Sequence, residues 1–153
     1  MENKKFSSHP KIEDSLKSAG VGITPGRILV YKCLDASPYP LSLAEIEDRL
    51  ESVDKSTVSR TLTKFREKHI IHAFNDGSGS MKYEICHSSN IKSDSDLHVH
   101  FRCEKCGLTK CLLGVKIPVI NLPEGYTQNG YNYVVSGICA DCNINCNIKQ
   151  TPE

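Results

Sequence analysis

The chain has no long apolar run, almost no net charge and no H-x-E tripeptide, and each gap removes a class of function. No stretch approaches the roughly 20 consecutive apolar residues of a membrane-crossing helix. The start, Met1-Glu2-Asn3-Lys4-Lys5, is polar, so no signal peptide is expected either. Nineteen Lys and Arg against eighteen Asp and Glu give a formal charge of +1. The whole chain is therefore not a polycation for nucleic acid, and any such role must come from a local basic surface. Without H-x-E there is no general base placed beside a zinc ligand in the manner of a zinc deaminase, so an enzyme is not expected.

What the chain does have is sulfur and imidazole: eight cysteines and six histidines in 153 residues. That length makes one compact domain or two small ones, and small domains often need a staple. With no secretory signal, a cytoplasmic location with reduced thiols is expected, and the cysteines then read as metal ligands. Cys103-x-x-Cys106 and Cys139-x-x-Cys142 each put two sulfurs on one tight turn. Both can reach a single zinc ion at about 2.3 Å, and two such turns close a tetrahedral site that contributes folding energy. Just before the first turn, His98 and His100 alternate. On a strand, both imidazoles leave the same face, where they can carry a second, more open metal site.

In chain order the pattern is α+β. A short helix is expected from about Lys11 to Ser18. Thr24-Pro25 opens another, as an N-cap followed by proline at the first helical position. Ser42 with Glu45 forms a capping box for a third. A fourth runs from Lys55 to His69, with Val58, Leu62 and Phe65 at buried spacing. Two strands joined by the turn Asn75–Ser80 follow. Two helices at an angle with a β-hairpin behind them make a winged helix-turn-helix. Its candidate DNA-contacting residues are Lys55, Ser56, Thr57, Ser59, Arg60, Thr63 and Lys64: lysine and arginine suit phosphates, and serine, threonine and arginine reach base edges. The expected organisation is a winged-helix domain over 1–87, a polar hinge over 88–96, a zinc-stapled domain over 97–146 and a tail over 147–153. Strands are expected at 97–102, 108–113 and 131–136. The prolines between 116 and 124 exclude a helix there, and the chain is expected to run loose from Asn143.

Thr24-Pro25-x-Arg27, Ser56-Thr57-Val58-Ser59-Arg60-Thr61-Leu62, Lys82-Tyr83-Glu84, His98-x-His100-Phe101-x-Cys103-x-x-Cys106-Gly107 and Gly137-Ile138-Cys139-x-x-Cys142 occur in that order. Together they make the chain resemble the ferric uptake regulator family, which includes zinc-uptake and peroxide-sensing branches. The resemblance implies a homodimer whose second half is a small α/β dimerisation domain with a structural four-cysteine zinc site. It also implies a repressor that binds a palindromic operator in double-stranded DNA when a regulatory divalent metal is bound. The candidates for that second site are some four of His72, Glu84, Cys86, His98 and His100, with Cys111 or His87 as alternative ligands. His72 and Cys86 resemble ligands of the zinc-uptake branch. A set containing thiolate favours Zn2+, whereas His98, His100 and Glu84 suit Fe2+ or manganese as well. Two departures stand out: Ser59 replaces the family's usual tyrosine, and Cys111 falls where a carboxylate is common. The competing expectation is a zinc-stapled adaptor for protein or RNA whose metal is purely structural.

Overall fold

Local signals set the first half. The computed structural model describes residues 9–86, 98–129 and 131–147. Helix α1 spans His9–Ser18 and α2 spans Pro25–Ala36, the latter opened by the Thr24 side chain accepting from the Arg27 amide. Helix α3, Leu43–Arg49, starts on the full capping box: the Glu45 amide donates to Ser42 Oγ, and the Ser42 amide donates to the Glu45 carboxylate. Leu41 and Ser42 also form a two-residue strand, β1, too short to show as alternation in the sequence. Helix α4, Lys55–Glu67, is capped by Asp54.

Strands β2 (Ile71–Asn75) and β3 (Met81–Ile85) make the wing, and β1 adds to the far side of β3 in the order β1-β3-β2. Lys82 Nζ donates to Glu45 at 3.0 Å, tying the wing to the capping box. Leu16, Val30, Leu41, Ile46, Val58 and Phe65 are almost wholly buried between the helices and this sheet. The stripe of Val58, Leu62 and Phe65 is indeed the buried face of α4, with Thr61 added to it. The other face of α4 points outward.

The second half is a three-stranded sheet in the order β5-β4-β6. Central β4 (Val99–Cys103) pairs antiparallel with β5 (Thr109–Leu112) and parallel with β6 (Val134–Gly137). Its core is small. Among the described residues beyond 98, the buried apolar side chains are Val99, Cys103 and Cys139, so two of the three are thiols.

The tail departs from expectation. Asn143 does not begin a loose segment: the second C-x-x-C turn continues as helix α5, Ala140–Asn147, with the Asn143 amide donating to the Cys139 carbonyl at 2.9 Å. Neither proline nor glycine interrupts those eight residues, so a turn fixed at its start propagates. The expected hinge over 88–96 and the neighbouring His87 lie outside the described residues. No helix among the described residues is long and apolar enough to cross a membrane.

Candidate metal centres

The first centre is the thiol cluster. Cys103 ends β4, residues 104–106 turn, and Gly107 adopts a left-handed backbone (φ 74°) that releases the chain toward β5. The turn aims backbone amides at sulfur: those of Cys106 and Cys139 each donate to Cys103 Sγ at 3.4 Å. These amides hold the Cys103 thiol down at about 6, while the crowding thiol of Cys139 pushes Cys142 up to about 12. The amides thus favour the thiolate form at this sulfur, the form a metal ligand needs. The four ligand sulfurs of Cys103, Cys106, Cys139 and Cys142 all lie within 4.8 Å of one another, and Cys106 and Cys139 are 4.0 Å apart. Tetrahedral geometry with zinc–sulfur bonds of about 2.3 Å needs sulfurs roughly 3.8 Å apart. The cluster fits zinc with little adjustment.

Two polar contacts brace it from outside. The Glu104 amide donates to the Gly137 carbonyl at 2.8 Å, and Lys110 Nζ meets Asp141 at 2.7 Å.

The second centre draws on both halves of the chain. His72 on β2 stands directly opposite Glu84 on β3, so strand pairing alone puts the two side chains on one face. His98 immediately precedes β4 and His100 lies within it, two residues on and on the same face. The Nε2 atoms of His72, His98 and His100 lie 3.0, 3.3 and 3.5 Å from Glu84 Oε2. One ligand atom from each of the four residues falls within 4.8 Å of the others.

Burial opposes the charge on Glu84, but the three imidazoles and the Cys111 thiol outweigh it and hold the carboxyl far below the usual carboxylate range. Burial also lowers His100, against the pull of Glu84, which favours the neutral ring that a metal requires. Three ring nitrogens cannot all donate well to one oxygen. His100 Nε2, 3.5 Å from Glu84 Oε2, is buried without a well-formed hydrogen bond, an expensive arrangement for a ring nitrogen. A nitrogen-rich, singly anionic donor set of this kind fits zinc, iron(II) or manganese(II).

The remaining candidates stand just outside this set. Cys86 Sγ is 3.5 Å from His72 Nδ1, the ring nitrogen opposite the one facing Glu84. Cys111, paired across from His100, donates its thiol to the other Glu84 oxygen, Oε1, at 2.6 Å. Burial and the neighbouring carboxylate push that thiol well above the ordinary range, so it stays protonated. On α4, Lys55, Ser56, Ser59, Arg60 and Thr63 are exposed, and Thr57 and Lys64 are half-buried. Lys55 reaches Glu47 at 3.3 Å, Lys64 reaches Glu67 at 3.5 Å, and Arg60 folds back on the Ser56 carbonyl and hydroxyl. Asp54 also receives the Ser56 hydroxyl, so the first turn of the helix is held rigid.

Three contacts that the sequence did not announce tie the two halves together without metal. Phe74 stacks on His100, with ring centroids 3.5 Å apart and planes 17° from parallel. The Thr109 hydroxyl donates to buried Asp76 at 2.6 Å, and Asn132 Nδ2 donates to the Asn75 carbonyl at 3.1 Å. Phe74 had a readable signal, since it shares a strand face with His72 two residues earlier. Asp76 had none, because an aspartate before Gly-Ser-Gly reads as a turn former.

Burial raises the Asp76 carboxyl, but the Ser78 and Thr109 bonds outweigh this and leave it lowered. Its contribution to stability is therefore present above the ordinary aspartate range and is lost as pH falls through the depressed folded value. Thr109→Val removes one donor and should cost about 1–3 kcal/mol at neutral pH. Urea unfolding should show that cost shrinking in acid, and a pH-independent difference would mean the bond is not what Thr109 contributes.

The sequence profile of the ferric uptake regulator family matches residues 18–124, more than half of the chain. A ferric uptake regulation protein from Campylobacter upsaliensis is 26% identical over 152 residues, covering 91% of each chain. Among solved structures, a zinc uptake regulator complexed with zinc and DNA superposes with a TM-score of 0.61 at 18% identity, over 90% of this chain and 94% of that one. The Pseudomonas aeruginosa ferric uptake regulator with manganese gives 0.56 at 20% identity, over 84% and 98%. With the winged helix, the four-thiol cluster and the ordered motifs already in place, these likenesses settle its kinship: the chain belongs to the ferric uptake regulator family of metal-responsive transcription regulators, which are not enzymes.

Proposed function

We propose that this protein is a dimeric, cytoplasmic repressor that binds a palindromic operator when a second divalent metal, Zn2+ or Fe2+, fills the site formed by His72, Glu84, His98 and His100. The observation that carries the reading is the origin of those four donors. His72 and Glu84 belong to the wing, and His98 and His100 belong to the sheet that follows it.

When bound, the metal supplies positive charge that all four donors share. The chain does the rest. His72 and Glu84 hold the winged helix, while His98 and His100 hold β4, so occupancy selects one arrangement of the two halves. Zn2+ held by Cys103, Cys106, Cys139 and Cys142 keeps the second half folded. Exposed apolar side chains of the second half, including Leu113 at 65% and Val119 at 89% exposure, support a second copy as their cover. Two-fold pairing would present two α4 helices, and Lys55, Ser56, Thr57, Ser59, Arg60, Thr63 and Lys64 on each, to successive major-groove half-sites.

Fluorescence anisotropy on the protein's own promoter DNA tests this at fixed salt, with tight zinc retained and zinc, iron(II) or manganese(II) titrated separately. Affinity should rise with at least one metal, and specific binding that ignores all three would leave only structural zinc. Arg60→Ala should weaken binding about tenfold or more, as loss of a base or phosphate contact requires, with metal stoichiometry unchanged. Unaltered affinity would place the DNA on another face.

A further inference from the structure

The second centre has a thiol beside each of its two wing-side donors, and each thiol meets the atom of that donor other than the one facing the cluster. Cys86 Sγ lies 3.5 Å from His72 Nδ1, while His72 Nε2 faces the cluster. Cys111 Sγ donates to Glu84 Oε1, while Glu84 Oε2 faces the three imidazoles.

A neutral imidazole that offers Nε2 to a cation must carry its proton on Nδ1, and that N–H needs an acceptor. Cys86 Sγ, 3.5 Å away, is the atom placed to accept it in that tautomer. A carboxylate whose second oxygen already accepts an S–H bond is likewise held to one metal-facing oxygen. We propose that Cys86 and Cys111 are positioning residues and not ligands. Cys86 fixes the tautomer and ring plane of His72, Cys111 holds Glu84 with a single oxygen toward the ion, and the coordination sphere stays free of sulfur. This inference rests on the metal-site reading above and deepens it. Its consequence is selectivity: three nitrogens and one oxygen admit iron(II) and manganese(II) alongside zinc, which a thiolate in the sphere would disfavour.

Cobalt(II) provides the test, because direct thiolate ligation produces an intense near-ultraviolet sulfur-to-cobalt band. Full-length protein that keeps zinc in its four-cysteine site is titrated with one further equivalent of cobalt per chain. The expected result is a d–d spectrum with no such band. Cys86→Ala and Cys111→Ala should each weaken cobalt about 10–100-fold, as loss of an outer hydrogen-bond partner does. Cys86→Ser and Cys111→Ser should recover most of that loss, because a hydroxyl can accept from Nδ1 or donate to Oε1. If an alanine variant does not fold, the serine variant carries the comparison. The His72 Nδ1–H resonance should shift in Cys86→Ser and lose its protection from exchange in Cys86→Ala, changes that a mere packing role would not produce.

A charge-transfer band that disappears with either cysteine would make that thiol a ligand and overturn the proposal. Unchanged cobalt affinity in both alanine variants would overturn it as well. Cobalt that finds no site beyond the zinc cluster would overturn the metal-site reading itself, and this one with it.

Discussion

Cys103→Ser or Cys139→Ser should yield a chain that lacks its tight zinc and has lost both the dimer and the folded second half. The expectation rests on magnitudes. Structural zinc contributes about 10–16 kcal/mol of apparent binding energy at neutral pH, as much as or more than the roughly 5–15 kcal/mol by which a whole domain is stable. Residues beyond 98 have almost nothing else to fall back on, since their buried apolar side chains, among those described, are Val99 and the two cysteines themselves. The winged helix is different, because its core from Ile12 to Ile85 is made entirely by the first half. Metal analysis should find one zinc fewer per chain, sedimentation should find a monomer, and hydrogen exchange should show protection surviving in α2 and α4 but gone from β4 and β6. A stable zinc-free dimer would rule out the four-cysteine staple.

The second large effect belongs to His98→Ala combined with His100→Ala. Tight zinc and the dimer should persist, because β4 pairs with β5 and β6 through backbone groups that the substitutions do not touch. What should vanish is the response of DNA affinity to added metal. Coupling between two sites is typically worth about 5–150-fold, and the double variant should bind DNA with the same affinity whether metal is added or withheld. Anisotropy titrations read this directly. A wild-type response in the double variant would place the sensing ligands elsewhere.

Much of this was legible because the decisive signals are local. Thr24-Pro25, the Ser42–Glu45 box and the two C-x-x-C turns each act within four residues, and each is found where its spacing put it. The second centre was legible only as a pool of candidates. Which of His72, Glu84, Cys86, His98, His100 and Cys111 converge depends on strand register and on how β4 meets the wing, and neither is encoded within a short window. The structure brings His72, Glu84, His98 and His100 together and leaves the two thiols one atom too far round their partners. The Asp76–Thr109 bond was invisible for the same reason: the partners are 33 residues apart. Helix α5 was missed because Asn143 and the residues after it are indifferent helix formers, and only the preceding turn commits them.

Strand β4 carries His100 near one end and Cys103 at the other, about 10 Å apart at strand spacing. On the reading proposed above, a ligand of the structural zinc and a ligand of the regulatory metal therefore share one rod. If the zinc proposed for the four-cysteine site is what fixes that rod, a newly made chain would have to capture its first ion before the second site could form. Such a chain would report on its second ion only after it had secured the first. Where zinc is too scarce to fill the four-cysteine site, freshly synthesised copies would then stay mute, and only molecules already equipped would respond.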